Sequence, residues 1–182
     1  MNKNDLRDIA FENANKHGFH DVDYGDKHYL CLVVSELMEA VDADRNGKYA
    51  DRTILPHFKK QDEYSKENMF NDYFNQYVKD TVGDELADAC IRIYDLAGLR
   101  RVNLNQTNVT YTNTFSEAKC FTEFIFDICK VLMSPYPLSN VLTNSLRMIE
   151  DFCEHINVDL QRHIELKMEY NVHRPVRHGK KY

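Results

Sequence analysis

The sequence predicts an all-α protein, a helical bundle, on three observations. Apolar residues recur at intervals of three and four in one segment after another, as in Leu30, Val33, Val34, Leu37 and Val41. No segment shows the apolar–polar alternation that a half-buried strand requires. Gly or Pro punctuates the ends of the periodic segments, at Gly18, Gly47, Pro135 and Pro137. With 182 residues, 43% hydrophobic and 29% charged, the chain has the composition of one globular domain with a sizeable core.

Asn4 to His17 forms a short amphipathic helix, with Leu6, Ile9, Ala10 and Ala14 near one face and Gly18 as its stop. After a polar turn, the second helix runs from about Lys27 to Asn46, and Gly47 supplies the C-terminal cap. Gly47 to about Lys66 is polar, contains Pro56 and reads as a long loop of the kind that is functional or mobile. Helical spacing resumes near Glu67 and continues through Thr81 to Leu99, with an irregularity expected at Gly83. Arg101 to Asn113 is rich in Asn and Thr and reads as a linker. Phe115 to Met133 is strongly apolar and ends before Pro135, where proline cannot continue a helix. Leu138 to His155 places Val141, Leu142, Leu146, Ile149 and Phe152 on one side, and Asp159 caps a last helix to Asn171. One domain over 1–182 is expected.

The formal charge of −6 argues against a general nucleic-acid or anionic-membrane binder. No apolar run approaches the ~20 residues of a membrane span. Cys31, Cys90, Cys120, Cys129 and Cys153 show no metal-binding spacing and read as reduced, buried thiols. With a polar N-terminus lacking an apolar leader, they predict a cytoplasmic protein.

The second helix carries the first chemical signal. LCLVVSELMEAV, Leu30 to Val41, is almost wholly apolar and has only Glu36 and Glu39 as charged residues, which project from one helical face opposite Val33 and Leu37. Thr81 to Leu99 repeats the pattern: Asp84, Glu85, Asp88, Arg92 and Asp95 form a narrow stripe in an otherwise apolar helix. Buried unpaired carboxylates are costly. If the two pairs face each other, Arg92 offsets one charge and a divalent cation is the economical answer for the rest. All-oxygen ligands favour Mg²⁺ or Mn²⁺ over zinc. A di-iron carboxylate bundle would require Glu-x-x-His, and none occurs.

The C-terminal segment carries the second signal. Lys167, Asn171 and Arg174 follow at helical spacing, and Arg177, His178, Lys180 and Lys181 come at once after them. Such a block can hydrogen-bond anionic oxygens, and facing a metal site it has the design of a phosphoryl-transfer enzyme.

The blocks SELMEA (Ser35 to Ala40), GDELADACIRIYDLAG (Gly83 to Gly98) and KMEYN..RP.RHGKKY (Lys167 to Tyr182) resemble the MazG-like all-α nucleoside triphosphate pyrophosphohydrolases, the superfamily of dimeric dUTPases and dCTP pyrophosphatases. Its signature is EExxE followed by ExxD. Ser35 stands where the family has its first acid, a departure that touches an outer or water-mediated ligand and leaves the quartet intact. The resemblance implies a bundle of the all-α NTP pyrophosphatase type with additional helices in the C-terminal half, a helical insertion at about 107–155 in a minimal family core. It implies Mg²⁺, or Mn²⁺, on Glu36, Glu39, Glu85 and Asp88, with Glu39 or Glu36 acting on the attacking water. It further implies phosphate contacts from Lys167, Asn171, Arg174 and Lys180, and a base held near Asn13 and His17, with Phe19 a further candidate. The implied reaction cleaves a nucleoside triphosphate, a dNTP above all, into the monophosphate and pyrophosphate, in a homodimer or homotetramer. The competing expectation is a catalytically silent helical module that binds a nucleotide or a protein.

Overall fold

The protein is seen as a computed structural model that describes residues 2–59, 69–105 and 120–179. Among the described residues the architecture is all-α, with seven helices and no strand. They are α1 (Lys3–Lys16), α2 (Asp26–Arg45), α3 (Met69–Tyr77), α4 (Val82–Leu99), α5 (Phe121–Leu132), α6 (Leu138–His155) and α7 (Leu160–Val172), with short 3-10 turns at Leu55–His57 and Val176–Gly179. None is long and apolar enough to cross a membrane.

α4 is the central helix, and α1, α2, α6 and α7 all pack against it. The reason is compositional. Leu86, Ala87, Cys90, Ile93, Leu96 and Ala97 are all fully buried, so only its acidic stripe lies outside the apolar contacts. They meet Val33 and Leu37 of α2, Ile125 and Ile128 of α5, and Leu146, Ile149 and Phe152 of α6 in one continuous apolar cluster. Burying each such side chain stabilises the fold by roughly 1.5–3 kcal/mol. The helices of the expected insertion thus share this core, α5 against α2 and α6 against α4. A smaller cluster joins Leu55, Phe58, Phe70 and Phe74 to Leu166 of α7.

Most helix ends follow local chemistry. The Asn2 side chain accepts from the N–H groups of Asn4 and Asp5. Gly47, at φ 66°, stands just past the end of α2 in the left-handed region that glycine adopts without strain. Asp159 accepts from the Arg162 N–H at 3.0 Å and starts α7.

Three expectations differ from the structure. The helical run expected from near Glu67 to Leu99 is two helices; the expected start at Glu67 lies outside the described residues. The break falls at Val78–Thr81, not at Gly83. Thr81 is an N-cap whose hydroxyl accepts from the Asp84 N–H, and Asp80 before it takes φ 60°. Gly83 lies in the first turn of α4 because the His163 ring of α7 presses there; a Cβ would stand 2.3 Å from its Nε2. The helix expected from Phe115 begins, among the described residues, at Phe121. The Glu123 carboxylate accepts from the Cys120 N–H at 2.8 Å. All five cysteines are free, but Cys31 and Cys120 are exposed rather than buried.

Candidate active site

The packing of α2 on α4 brings acids from both helices together. One carboxylate oxygen each from Glu36, Glu39 and Glu85 lies within 4.8 Å of the other two. Glu36 and Glu85 are buried and Glu39 is exposed. Burial raises the pKa of Glu36; Arg92, whose Nε donates to Glu36 Oε1 at 2.5 Å, pulls it back. Burial, reinforced by neighbouring Asp84, pushes Glu85 up to about 8. Such a carboxyl is ionised at neutral pH only when more positive charge is supplied. Three convergent carboxylates of this kind fit a hard divalent cation, which takes oxygen ligands.

Asp88, the fourth expected ligand, does not join this group. Lys167 Nζ lies 2.9 Å from Asp88 Oδ2 and 2.9 Å from Asp84 Oδ2. Burial raises Asp88, but the Lys167 and Arg92 charges outweigh it and hold the carboxyl below its ordinary range. Asp84 is fully buried and is pushed up to about 6 by that burial, against the pull of Lys167. Its Oδ2 also accepts the Asp80 N–H at 3.0 Å, while its Oδ1 has no hydrogen bond among the described residues. Lys167 is itself buried, and the two acids hold its pKa above the usual lysine value against that burial.

A pocket opens beside the acids between α1, α2, α4 and the end of α7. At the acid end it is lined by Asp88, Arg92, Asn171 and Arg174. Arg92 joins the two features, since it lines the pocket and holds Glu36. Elsewhere the wall includes Asn13, Phe19, Tyr24, His28, Tyr29 and Asp95. The loop carrying Tyr24 is pinned by Arg100, which donates to Asp23, to Asp26 and, at 2.8 Å, to the Tyr24 carbonyl. His20 Nε2 is 2.7 Å from Asp95 Oδ1.

The predicted site residues therefore divide. Glu36, Glu39 and Glu85 converge; Asn171, Arg174, Asn13 and Phe19 line the adjoining pocket. Lys167, expected on phosphate, is engaged by Asp84 and Asp88 and is not among the pocket-lining residues. His17, expected on the base, is turned to structure. Its Nδ1 is 2.8 Å from the Asn13 carbonyl and its Nε2 3.0 Å from the Arg174 carbonyl, tying α1 to the segment after α7. Lys180 lies outside the described residues. Sequence reasoning missed Asp84 as the second partner of Lys167, and it missed His20, Tyr24, Tyr29 and Asp95. Asp95 was legible as the far end of the α4 stripe; the aromatic residues carried no signal beyond composition.

Compared with known proteins, the chain matches no family model, no curated protein and no solved structure.

Proposed function

We propose that the chain is a divalent-metal-dependent nucleoside triphosphate pyrophosphohydrolase of the MazG-like kind, acting on a dNTP. The observation that carries this reading is the convergence of Glu36, Glu39 and Glu85 within 4.8 Å, joined through Arg92 to a pocket lined by Asn171 and Arg174. A Mg²⁺ or Mn²⁺ ion on the three carboxylates would supply charge neutralisation for the polyphosphate and a bound water of lowered pKa. Arg92 and Arg174 attract the phosphate oxygens, and the Asn171 amide adds a neutral donor. Glu36 is committed to Arg92, so Glu39, the exposed member, accepts the proton of the attacking water. Water adds to the α-phosphorus, the bond from that phosphorus to the α–β bridging oxygen breaks, and the products are the nucleoside monophosphate and pyrophosphate. Exposed Phe126, Met133 and Tyr136, on and just after α5, support a homodimer or homotetramer, which a light-scattering mass would test.

One observation favours a second reading, a silent binding module: Lys167 already neutralises part of the acid stripe from within. Product analysis by phosphorus NMR separates the two. With Mg²⁺ and a dNTP panel, the enzyme yields monophosphate and pyrophosphate. Diphosphate and orthophosphate would contradict cleavage at the α–β bridge, and no product from any nucleotide would leave only the binding module.

A further inference from the structure

The pocket extends away from the acids to a second carboxylate, Asp95. Asp88 and Asp95 both line it and lie seven residues apart on α4, two turns or about 10 Å along the axis. A nucleotide whose phosphates lie against Arg92, Asn171 and Arg174 would carry its base toward Asp95. That end is aromatic: the Tyr24 and His28 rings stack at 4.3 Å, and Tyr29 lies 6.0 Å from His20.

Asp95 is held rather than free to turn. Its Oδ1 takes the contact from His20 Nε2, and the His20 ring stacks on Phe11 at 5.3 Å. The Asp95 side chain is 16% exposed, and no described residue donates to its second oxygen. His20 Nδ1 is also buried without a hydrogen bond among the described residues, so the pair has unused polar capacity, and Asp95 is its member that lines the pocket. A largely buried carboxylate accepts hydrogen bonds only and gains by meeting a donor.

We infer that Asp95, positioned by His20, reads the base and selects one that carries an exocyclic amino group. This rests on the pyrophosphohydrolase reading. Cytosine, adenine and guanine each present an amino group with N–H donors, the pairing by which acidic side chains accept from cytosine in general. Uracil and thymine present one N–H between two carbonyl oxygens, and those oxygens meet the carboxylate with like polarity. A site built around a buried acceptor rejects the analogue that leaves it unpaired.

The matched pair dCTP and dUTP differs at the group concerned. The wild type should turn over dCTP with kcat/KM at least about tenfold above dUTP, and D95N, whose amide can donate to the uracil carbonyl, should bring the two within about threefold. Calorimetric binding of dCMP and dUMP gives a readout without hydrolysis, and dCMP should bind tighter in an Asp95-dependent way. Equal kcat/KM for dCTP and dUTP in the wild type overturns the base assignment while leaving the reaction standing, whatever D95N does. Discrimination that D95N retains in full also overturns it. No hydrolysis of any nucleotide, with dCMP still preferred over dUMP, upholds the base assignment and overturns the reaction.

Discussion

Lys167 changes the meaning of the acid stripe. Its ammonium bridges Asp84 and Asp88 at 2.9 Å each, with both the lysine and Asp84 buried. Removing one member of a buried ionic group leaves charge without compensation and destabilises by about 3–5 kcal/mol. Lys167→Met should therefore lower the free energy of urea unfolding by about 3 kcal/mol, because Asp84 would remain buried beside Asp88 without its cation. A lysine that served only the substrate would leave unfolding unchanged, and an unaltered urea midpoint would contradict the bridging role. Spacing alone put Lys167 on one face with Asn171 and Arg174, but could not say which acids that face would meet. The partners lie on α4, far away in the chain, and only the packing of α4 on α7 brings them together.

The contact between α4 and α7 also depends on Gly83. The His163 ring occupies the space of a side chain there, with its Nε2 2.3 Å from where a Cβ would stand. His163 is itself buried and its ring has little room to swing aside, so Gly83→Ala should destabilise by roughly 1–3 kcal/mol through overpacking. His163→Ala removes the obstruction, and the double variant G83A/H163A should recover stability relative to the sum of the singles, a coupling read from a double-mutant cycle. Additive losses would contradict direct contact. This feature explains why sequence reasoning misplaced the helix break. A glycine in a helical pattern reads as a weak point, whereas this one serves close packing, and the true break is made by Thr81 and Asp80. Helices with complete periodicity, such as Leu138–His155, were legible to the residue because their apolar faces encode burial directly.

At the scale of the molecule, the acid cluster ties stability to pH and, on the proposed reading, to metal. The folded protein holds Glu85 at about 8 against an ordinary 4.5, so it keeps a proton that the unfolded chain has lost. That stability is complete below 4.5 and is lost as pH rises to about 8. His163, lowered to about 4 by burial, acts in the opposite sense, losing stability as pH falls below 6.5. On the proposed reading, a divalent cation on the ionised cluster would remove the penalty on Glu85. The rise in Tm on adding Mn²⁺ should therefore be larger near about pH 8 than near about pH 5, where protons compete for the ligands. Comparing Tm with and without metal at each pH cancels His163. A metal shift that is absent or independent of pH would contradict the assignment. The carboxylate pairs themselves were legible in the sequence, since acids in an otherwise apolar helix demand compensation. Their division into a converging trio and a lysine-bound pair was not, because it depends on how α2 and α7 are set against α4.

The central claim is that Glu36, Glu39 and Glu85 together support metal-dependent cleavage of a nucleoside triphosphate. It is tested most directly by pyrophosphate release from dNTPs with Mg²⁺, in the wild type and in Glu85→Gln. The wild type should release pyrophosphate and stop on chelation. Glu85→Gln should fall by more than about 100-fold, beyond the loss seen when only an outer partner of a metal site is removed, while keeping its unfolding midpoint. A Glu85→Gln protein that is folded and still turns over at near the wild-type rate would contradict the claim.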